Sequence, residues 1–416
     1  MKLTGRGVRG PKRWKAFALA AGMVAIPLGV RAQSAPAAIT RGDAVRSALT
    51  RGARLAVARA DTGTAWAALL SAQALENPAL SASYSKSQPN YHVALDFPLD
   101  ALLLRGRRIA AAGASRQSAQ LRYSFEVASA QLEADTTYTR ALAALELGRL
   151  SRRNALAADT LLRMAALRRD AGDASELDVQ LATINAGQAE NTAASDSLTY
   201  ISTLLDLQAV MGLPANDVAV VPADSLTLPP GEIVTDSLHG VPLSIAAAEL
   251  SLQASELTAA LQRRAWLSPL SLSLGFEAGD ATDKGLLPTI GVAVPLPFFN
   301  RGRAGIAQAA AERERARAEL ALASVTSRTG ISRARRERSL ALSKVQRDQQ
   351  LVTAANRVAT MSITAYREGA ATLPNVLEAQ RNARDVLAQY INDLADAWIA
   401  IAELRVLTLT SAGSTP

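Results

Sequence analysis

"AYREGAATLPNVLEAQ", residues 365–380, breaks a run of strong helix formers with Gly369 and Pro374. The residue patterns before and after it are helical, so the break reads as a reversal between two helices and not as the end of a domain. The stretch "LRRDAGDASELDVQLA" at 167–182 has the same layout. Gly172 matches Gly369, Ser175 matches Thr372, Asp178 matches Asn375 and Val179 matches Val376, each pair 197 residues apart. A long-range match of this kind marks an internal duplication.

Working outward, "FPLDALLLRGRRIAAA" at 97–112 corresponds to "VPLPFFNRGRAGIAQA" at 294–309, at offsets of 196 and 197. The expected organisation is a first repeat over 33–214, a Pro-rich linker over 215–240, a second repeat over 241–410 and a tail over 411–416. Each repeat is expected to run helix, β-hairpin, long helix, tip turn, helix. The hairpins fall at 78–99 and 266–296, and the tip turns near 172 and 369.

Period-2 alternation supports the hairpins. In "YHVALDF" Tyr91, Val93, Leu95 and Phe97 alternate with His92, Ala94 and Asp96; in "PLSLSLGFE" Leu270, Leu272, Leu274 and Phe276 alternate with Ser271, Ser273 and Gly275. "PALSASY" and "TIGVAV" supply the other two strands, with polar loops at 85–90 and 277–289. Between Arg301 and Tyr366 there is no proline. One helix of about 65 residues would be roughly 100 Å long at 1.5 Å per residue. Such a helix needs partners along its length. A seam from Ile306 through Ala309, Ala316, Ile331, Ala341 and Val345 to Ala359 keeps mostly three- and four-residue spacing, as coiled-coil packing requires.

Composition removes several function classes. There is no cysteine, and the histidines are His92 and His239 alone, so thiol chemistry, disulfides and a Cys-based metal site are excluded. Residues 1–32 read as a secretory signal: a basic start, then an apolar run from Ala16 to Val30 interrupted by Pro27 and too short to span a bilayer. This leader holds seven basic residues and no acid, which leaves the remainder at +1 against +8 for the whole chain. A nearly neutral chain lacks the basic footprint of a nucleic-acid binder. No motif for a cofactor, a phosphate or a nucleophilic triad occurs.

Four strands with one apolar face pose a physical problem in a bilayer. An open sheet leaves its edge N–H and C=O groups unpaired, so only closed barrels persist there, and bacterial barrels begin at about eight strands. One chain supplies four, and the membrane reading therefore demands a symmetric oligomer. Seven of the 17 aromatics, including Tyr84, Tyr91, Trp266 and Phe299, cluster in the hairpin regions, where interfacial girdles are expected. His92 and Asp96 would then point into the lumen.

With "VAVPLPFFNRGRAGIAQA", "YREGAATLPNVLEAQ" and "LAQYINDLADAWIAIAEL" in view, the chain resembles the TolC-like outer-membrane efflux proteins over essentially its whole length after the leader. The resemblance implies a mainly α fold with a small β part. In it, long coiled-coil helices form a trimeric α-barrel, and the strands of three chains close a twelve-stranded transmembrane β-barrel. It implies a passive exit duct in the outer membrane with a long periplasmic extension, not an enzyme, needing no cofactor and no metal. Its expected partners are a periplasmic adaptor and an inner-membrane pump. "PLPFFNRGRAGIAQA" is most similar to members that serve heavy-metal resistance pumps. The cargo stays open among metal ions, drugs and peptides.

The same resemblance assigns the tips around Gly172, Ser175, Gly369 and Thr372 to adaptor docking. Glycine frees the backbone to reverse, and Ser175 or Thr372 can cap the returning helix. Relatives form a constriction from two acids three residues apart after the second tip. The matching positions here are Asn375 and Glu378, of which only the second is acidic. Asp178 is a further candidate for such a ring, and Tyr366 matches a tyrosine that braces the closed state. Two other readings stay open: a protein-secretion duct of the same fold, and a soluble periplasmic coiled-coil scaffold or adaptor.

Overall fold

The computed structural model describes residues 36–410 apart from 216, 230–239, 283–284, 295, 297 and 299–301. The leader at 1–32, the tail at 411–416, His239 and Phe299 lie outside the described residues.

The described chain is mainly helical. Two short helices, α1 (Arg41–Arg51) and α2 (Ala53–Gln73), lead into strands β2 (Ala79–Tyr84) and β3 (Tyr91–Pro98). A four-residue α3 (Asp100–Leu103) turns the chain into the 66-residue α4 (Arg105–Asp170), and α5 (Glu176–Val210) returns. The second half runs α6 (Leu243–Gln262), strands β5 (Ser271–Ala278) and β6 (Leu287–Ala293), the 65-residue α7 (Arg303–Arg367) and α8 (Leu373–Leu407). The returning helices α5 and α8 are both 35 residues long. At 1.5 Å per residue α7 spans about 98 Å.

No long helix folds back on itself; each is buried only along stripes against its neighbours. Toward the strands α2, α4, α6 and α7 lie side by side, and toward the tips the order is α5, α4, α8, α7. This makes a layer of helices with α2 and α5 along one edge and α7 along the other. The seam read from sequence is the inner stripe of α7. Ala309, Ala316, Ile331, Ala334, Ala341, Val345 and Ala355 are buried, and Ile306, Leu320, Ala323, Val352 and Ala359 are half-buried. Alanine dominates because small side chains let long helices approach closely without voids.

The four strands form one antiparallel sheet in the order β2-β3-β5-β6. Loop 85–90 separates β2 from β3 as the sequence indicates. The second loop is shorter than the 277–289 expected, because β5 continues to Ala278 and β6 resumes at Leu287. The extra length comes from the ladder, where Glu277 pairs with His92 on one side and Leu287 on the other.

Two further strands have no readable period. β1 (Ala37–Ile39) pairs in parallel with β4 (Val220–Pro222), three residues each. The described linker residues are accordingly fastened to the helices. Gln208, fully buried, donates from Nε2 to Pro214 O at 2.7 Å and Asp217 O at 2.9 Å, and accepts from Ala219 N at 2.7 Å. Trp398 Nε1 donates to Thr227 O at 2.8 Å. The Tyr138 hydroxyl lies 2.8 Å from Asp224 and 2.9 Å from Ile39 O, and burial with the Asp224 hydrogen bond pushes its pKa up to about 12. A single side chain of this kind replaces the local periodicity that a three-residue strand cannot carry.

Candidate functional site

Three surfaces stand out: the sheet, a concave face of the helical layer, and the two tips. On the sheet the register sorts side chains by parity. Leu80, Leu95, Leu274 and Ile290 form one row across all four strands, and Phe97, Leu272 and Val292 form another. This face is turned to solvent, with Ile290 79% and Leu80 72% exposed. A greasy sheet face of this extent has no stable place in water. The outer edges of β2 and β6 have no strand partner among the described residues.

The opposite face is polar and narrow. His92 and Asp96, expected to share a face, do so. His92 Nδ1 is 3.2 Å from Glu277 Oε1, and the Ser273 hydroxyl donates to Asp96. A Cβ on Gly275 would stand 2.4 Å from Val93 O and 2.9 Å from Thr289 Oγ1, so glycine here allows the strands to pack closely. Glu277 and Ser273 were not singled out from sequence. Their roles follow from the pairing of the two hairpins, which no local pattern encodes.

Helices α2, α4, α6 and α7 together line a concave groove of about 1070 Å³. Its wall is largely Ala, Ser and Thr, and its charges include Arg54, Arg122 and Glu126. Arg54 is held 2.6 Å from Glu126 and 3.2 Å from Glu133. A wall of small residues and matched charges is wettable and offers a solute no deep apolar site.

At the tips Gly172 (φ 82°) and Gly369 (φ 76°) adopt the left-handed conformation that reverses the chain. Ser175 caps α5 in a reciprocal box: its hydroxyl accepts from Asp178 N at 3.1 Å, and its amide donates to Asp178 Oδ2 at 3.0 Å. Asp178 is thus occupied as a capping partner. Thr372 stands at the same position of α8 in extended conformation but makes no side-chain cap bond. Pro374, the second residue of α8, has no amide to offer. Ser175→Ala is expected to cost about 1 kcal/mol of stability, and Thr372→Ala much less, as read from thermal unfolding of each variant.

Both tips meet in one apolar cluster of Leu161, Ala165, Val179, Tyr366, Leu373 and Val376. The duplicated pair Val179 and Val376 therefore share a core. Tyr366 is 2% exposed. The Arg168 guanidinium lies 4.9 Å from its ring centre, and Arg168 Nη1 donates to Tyr366 O at 2.9 Å. Burial pushes the Tyr366 phenol above its ordinary value; Arg168 opposes this, and the nearby Asp178 carboxylate adds to it. Arg168 is invisible as a site residue in the sequence, since basic residues at a helix C-terminus are commonplace. Asn375 and Glu378 both lie on the exposed side of α8.

Comparison with known proteins adds the following. Residues 242–408 match the family model described as outer membrane efflux protein. The chain is 31% identical over 258 residues to the pyoverdine export outer membrane protein OpmQ of Pseudomonas aeruginosa; this covers 59% of the chain, which spans about half (54%) of that protein's length. It is 23% identical over 347 residues to the cobalt-zinc-cadmium resistance protein CzcC of Cupriavidus metallidurans, with 82% of each covered. The fold is similar to the crystal structure of the outer membrane protein VceC from Vibrio cholerae, with a TM-score of 0.75 at 17% identity, covering 89% of this chain and 96% of that one.

Proposed function

We propose that the chain is a TolC-like outer membrane efflux protein, as its similarity to that family supports, and that it is the outer-membrane exit duct of a tripartite efflux system. It is a passive channel and not an enzyme. Three copies place β2 of one beside β6 of the next and close twelve strands into a barrel. The helical layers close below it into a periplasmic tube.

The observation that carries this reading is the sheet. It has an exposed apolar face, a polar face with His92 and Asp96, and two unpaired edges. A closed barrel in lipid satisfies all three at once, because the apolar face meets hydrocarbon, the polar face meets a wet lumen and the edges pair. No helix among the described residues is long and apolar enough to cross a membrane. The strands are the elements that would.

The concave groove, with its small-residue wall, becomes part of the lumen of the tube. The tips, carrying Gly172, Ser175, Gly369 and Thr372, receive a periplasmic adaptor that couples the duct to an inner-membrane pump. Tyr366 and Arg168 hold the two tips together in the closed arrangement, and Glu378 carries negative charge near the opening. The cargo is a small solute, the class named for the two relatives: pyoverdine for one, and by its name cobalt, zinc and cadmium for the other.

Fractionation followed by microscopy of the detergent-solubilised protein tests the assembly. The expected result is an outer-membrane trimer with a tube on the order of 100 Å, the length set by helix rise; a soluble dimer would sink the reading. In planar bilayers Glu378→Gln is expected to reduce preference for cations over anions, because a carboxylate ring favours cations. Unchanged selectivity would remove Glu378 from the constriction.

A further inference from the structure

The Arg-Gly-Arg motif that follows each hairpin, Arg105-Gly106-Arg107 in the first repeat and Arg301-Gly302-Arg303 in the second, is explained by neither the barrel nor the tube. Arg263 and Arg264 add to it just ahead of the second hairpin. Segments 74–78, 99–108, 263–270 and 294–303 hold seven arginines against two acids, Glu76 and Asp100, in a chain that is +1 after its leader. Positive charge is thus gathered where the sheet gives way to the helices.

The junctions are tied to one another. Arg105 Nε and Nη2 donate to Gln73 O at 3.0 and 2.9 Å, which joins the start of α4 to the end of α2. Leu99 N donates to Leu270 O at 2.9 Å, and a Cβ on Gly305 in α7 would stand 3.1 Å from Gln262 Oε1 at the end of α6. Both acids are used within the fold, since Arg108 pairs with Asp100 at 2.7 Å and approaches Glu76 at 3.6 Å. Arg107, Arg263, Arg264 and Arg303 are exposed, and their guanidinium groups have no hydrogen-bond or ion-pair partner among the described residues. Nor do these charges serve their helices. Arg107 and Arg303 stand in the first turns of α4 and α7, where the helix dipole opposes a cation.

On the strand side of these arginines the surface is apolar. Val294, Leu296 and Phe298 continue past β6 toward Arg303, between 54% and 74% exposed. Exposed Leu102 precedes Arg105 and Arg107, and half-exposed Trp266 follows Arg264. By helical spacing Arg303 is on the side of α7 opposite to Glu319 and Ala323, which line the groove, so it faces away from the space the layer encloses.

We propose that this neck is a docking surface for anionic phospholipid. Arg107, Arg263, Arg264 and Arg303 take headgroup phosphates of the leaflet on the helical side, and Trp266, Phe298 and Leu102 seat where headgroups meet acyl chains. A guanidinium fork matches a phosphate with two parallel N–H···O bonds, and a tryptophan ring belongs at headgroup depth. Charge selects the occupant: a zwitterionic headgroup carries its own ammonium, whereas an anionic one leaves its phosphate to the protein. The surface rests on the outer-membrane reading above and goes beyond it, since a barrel can sit in lipid without choosing its headgroups.

The full-length protein, reconstituted in phosphatidylcholine vesicles with a small share of brominated phosphatidylglycerol, tests this through quenching of its tryptophans. Vesicles with the same share of brominated phosphatidylcholine are the reference. A basic side chain at an anionic membrane surface attracts by about 1 kcal/mol, or about fivefold in local lipid concentration. The expected result is quenching about fivefold stronger by the anionic lipid, weakening as salt is raised. Arg107→Gln, Arg263→Gln, Arg264→Gln and Arg303→Gln together should bring the two lipids level. The same change at Arg152, Arg153, Arg333 and Arg357, exposed farther along α4 and α7, should leave the preference intact. Equal quenching in the unaltered protein overturns the lipid surface and points to an acidic protein partner. A preference that survives the neck variant, or that the other variant also loses, overturns it too and leaves the duct standing. Failure to insert into vesicles of any composition takes down both.

Discussion

Arginine at Leu274 and Ile290 is expected to remove the protein from the outer-membrane fraction. The two positions are cross-strand partners on β5 and β6, in the middle row of the exposed apolar face, with Leu95 and Leu80 completing the row. If that row lies near the bilayer midplane, each arginine on the lipid side costs roughly 2–4 kcal/mol. In the proposed trimer, three-fold symmetry would place six such charges in one barrel. Six such charges would cost roughly 12–24 kcal/mol, as large as or larger than the usual margin of folded proteins, about 5–15 kcal/mol. The matched control is Ser81→Arg. Its side chain is on the opposite, polar face of the same sheet, and a wet lumen accepts a charge at little cost. Fractionation and heat-dependent gel mobility read both variants. Retention of the Leu274→Arg, Ile290→Arg protein in the outer membrane, or equal loss of Ser81→Arg, would mean that the apolar face does not meet lipid.

This contrast also explains why the fold was largely legible. A strand with one apolar face and a helix with a buried stripe both write their environment into the sequence at a fixed period, two in one case and 3.5 to 3.6 in the other. Val93, Leu95 and Phe97 could be assigned to a face without any structure, and so could Ala316, Ile331 and Val345. Gly172 and Gly369 were legible for a different reason: duplication presents the same backbone requirement twice, and an isolated glycine in a helix gains meaning from its copy.

What escaped was set by non-local pairing. β1 and β4 are three residues each, and they exist because Tyr138 and Gln208, from distant helices, hold the chain there. Glu277 stood in an expected loop until the β3–β5 ladder brought it opposite His92. Arg168 looked like any basic residue at the end of a helix, and it is the partner of Tyr366 across 198 positions. Ser175 and Thr372 are equivalent in the repeat but differ as caps: Ser175 exchanges bonds with Asp178, whereas Thr372, with Asn375 at the matching position, makes no side-chain cap bond. Repeats preserve geometry more faithfully than they preserve the bonds that satisfy it.

The second large effect is expected at the neck, where the sheet gives way to the helices. Asp100 opens α3 directly after β3 and is only 1% exposed, an unusual place for a carboxylate. Among the described residues its charge partner is Arg108, whose Nη2 is 2.7 Å from Asp100 Oδ2; Arg108 Nη1 also approaches Glu76 at 3.6 Å. The Asp100 contact is off the line of the guanidinium N–H groups, so neither carboxylate oxygen gains an aligned hydrogen bond. The pair holds the first turns of α4 against α3 by charge attraction at low solvent exposure. Asp100→Ala leaves Arg108 without its buried counter-charge, and breaking such a pair from one side costs about 3–5 kcal/mol. The expected readout is a lowered thermal unfolding midpoint, with proteolytic sensitivity appearing near Leu104. Replacing both partners with leucine should recover much of the loss, since an apolar pair carries no desolvation penalty. If the double variant were no more stable than Asp100→Ala, the neck would depend on the shape of these side chains and not on their charges.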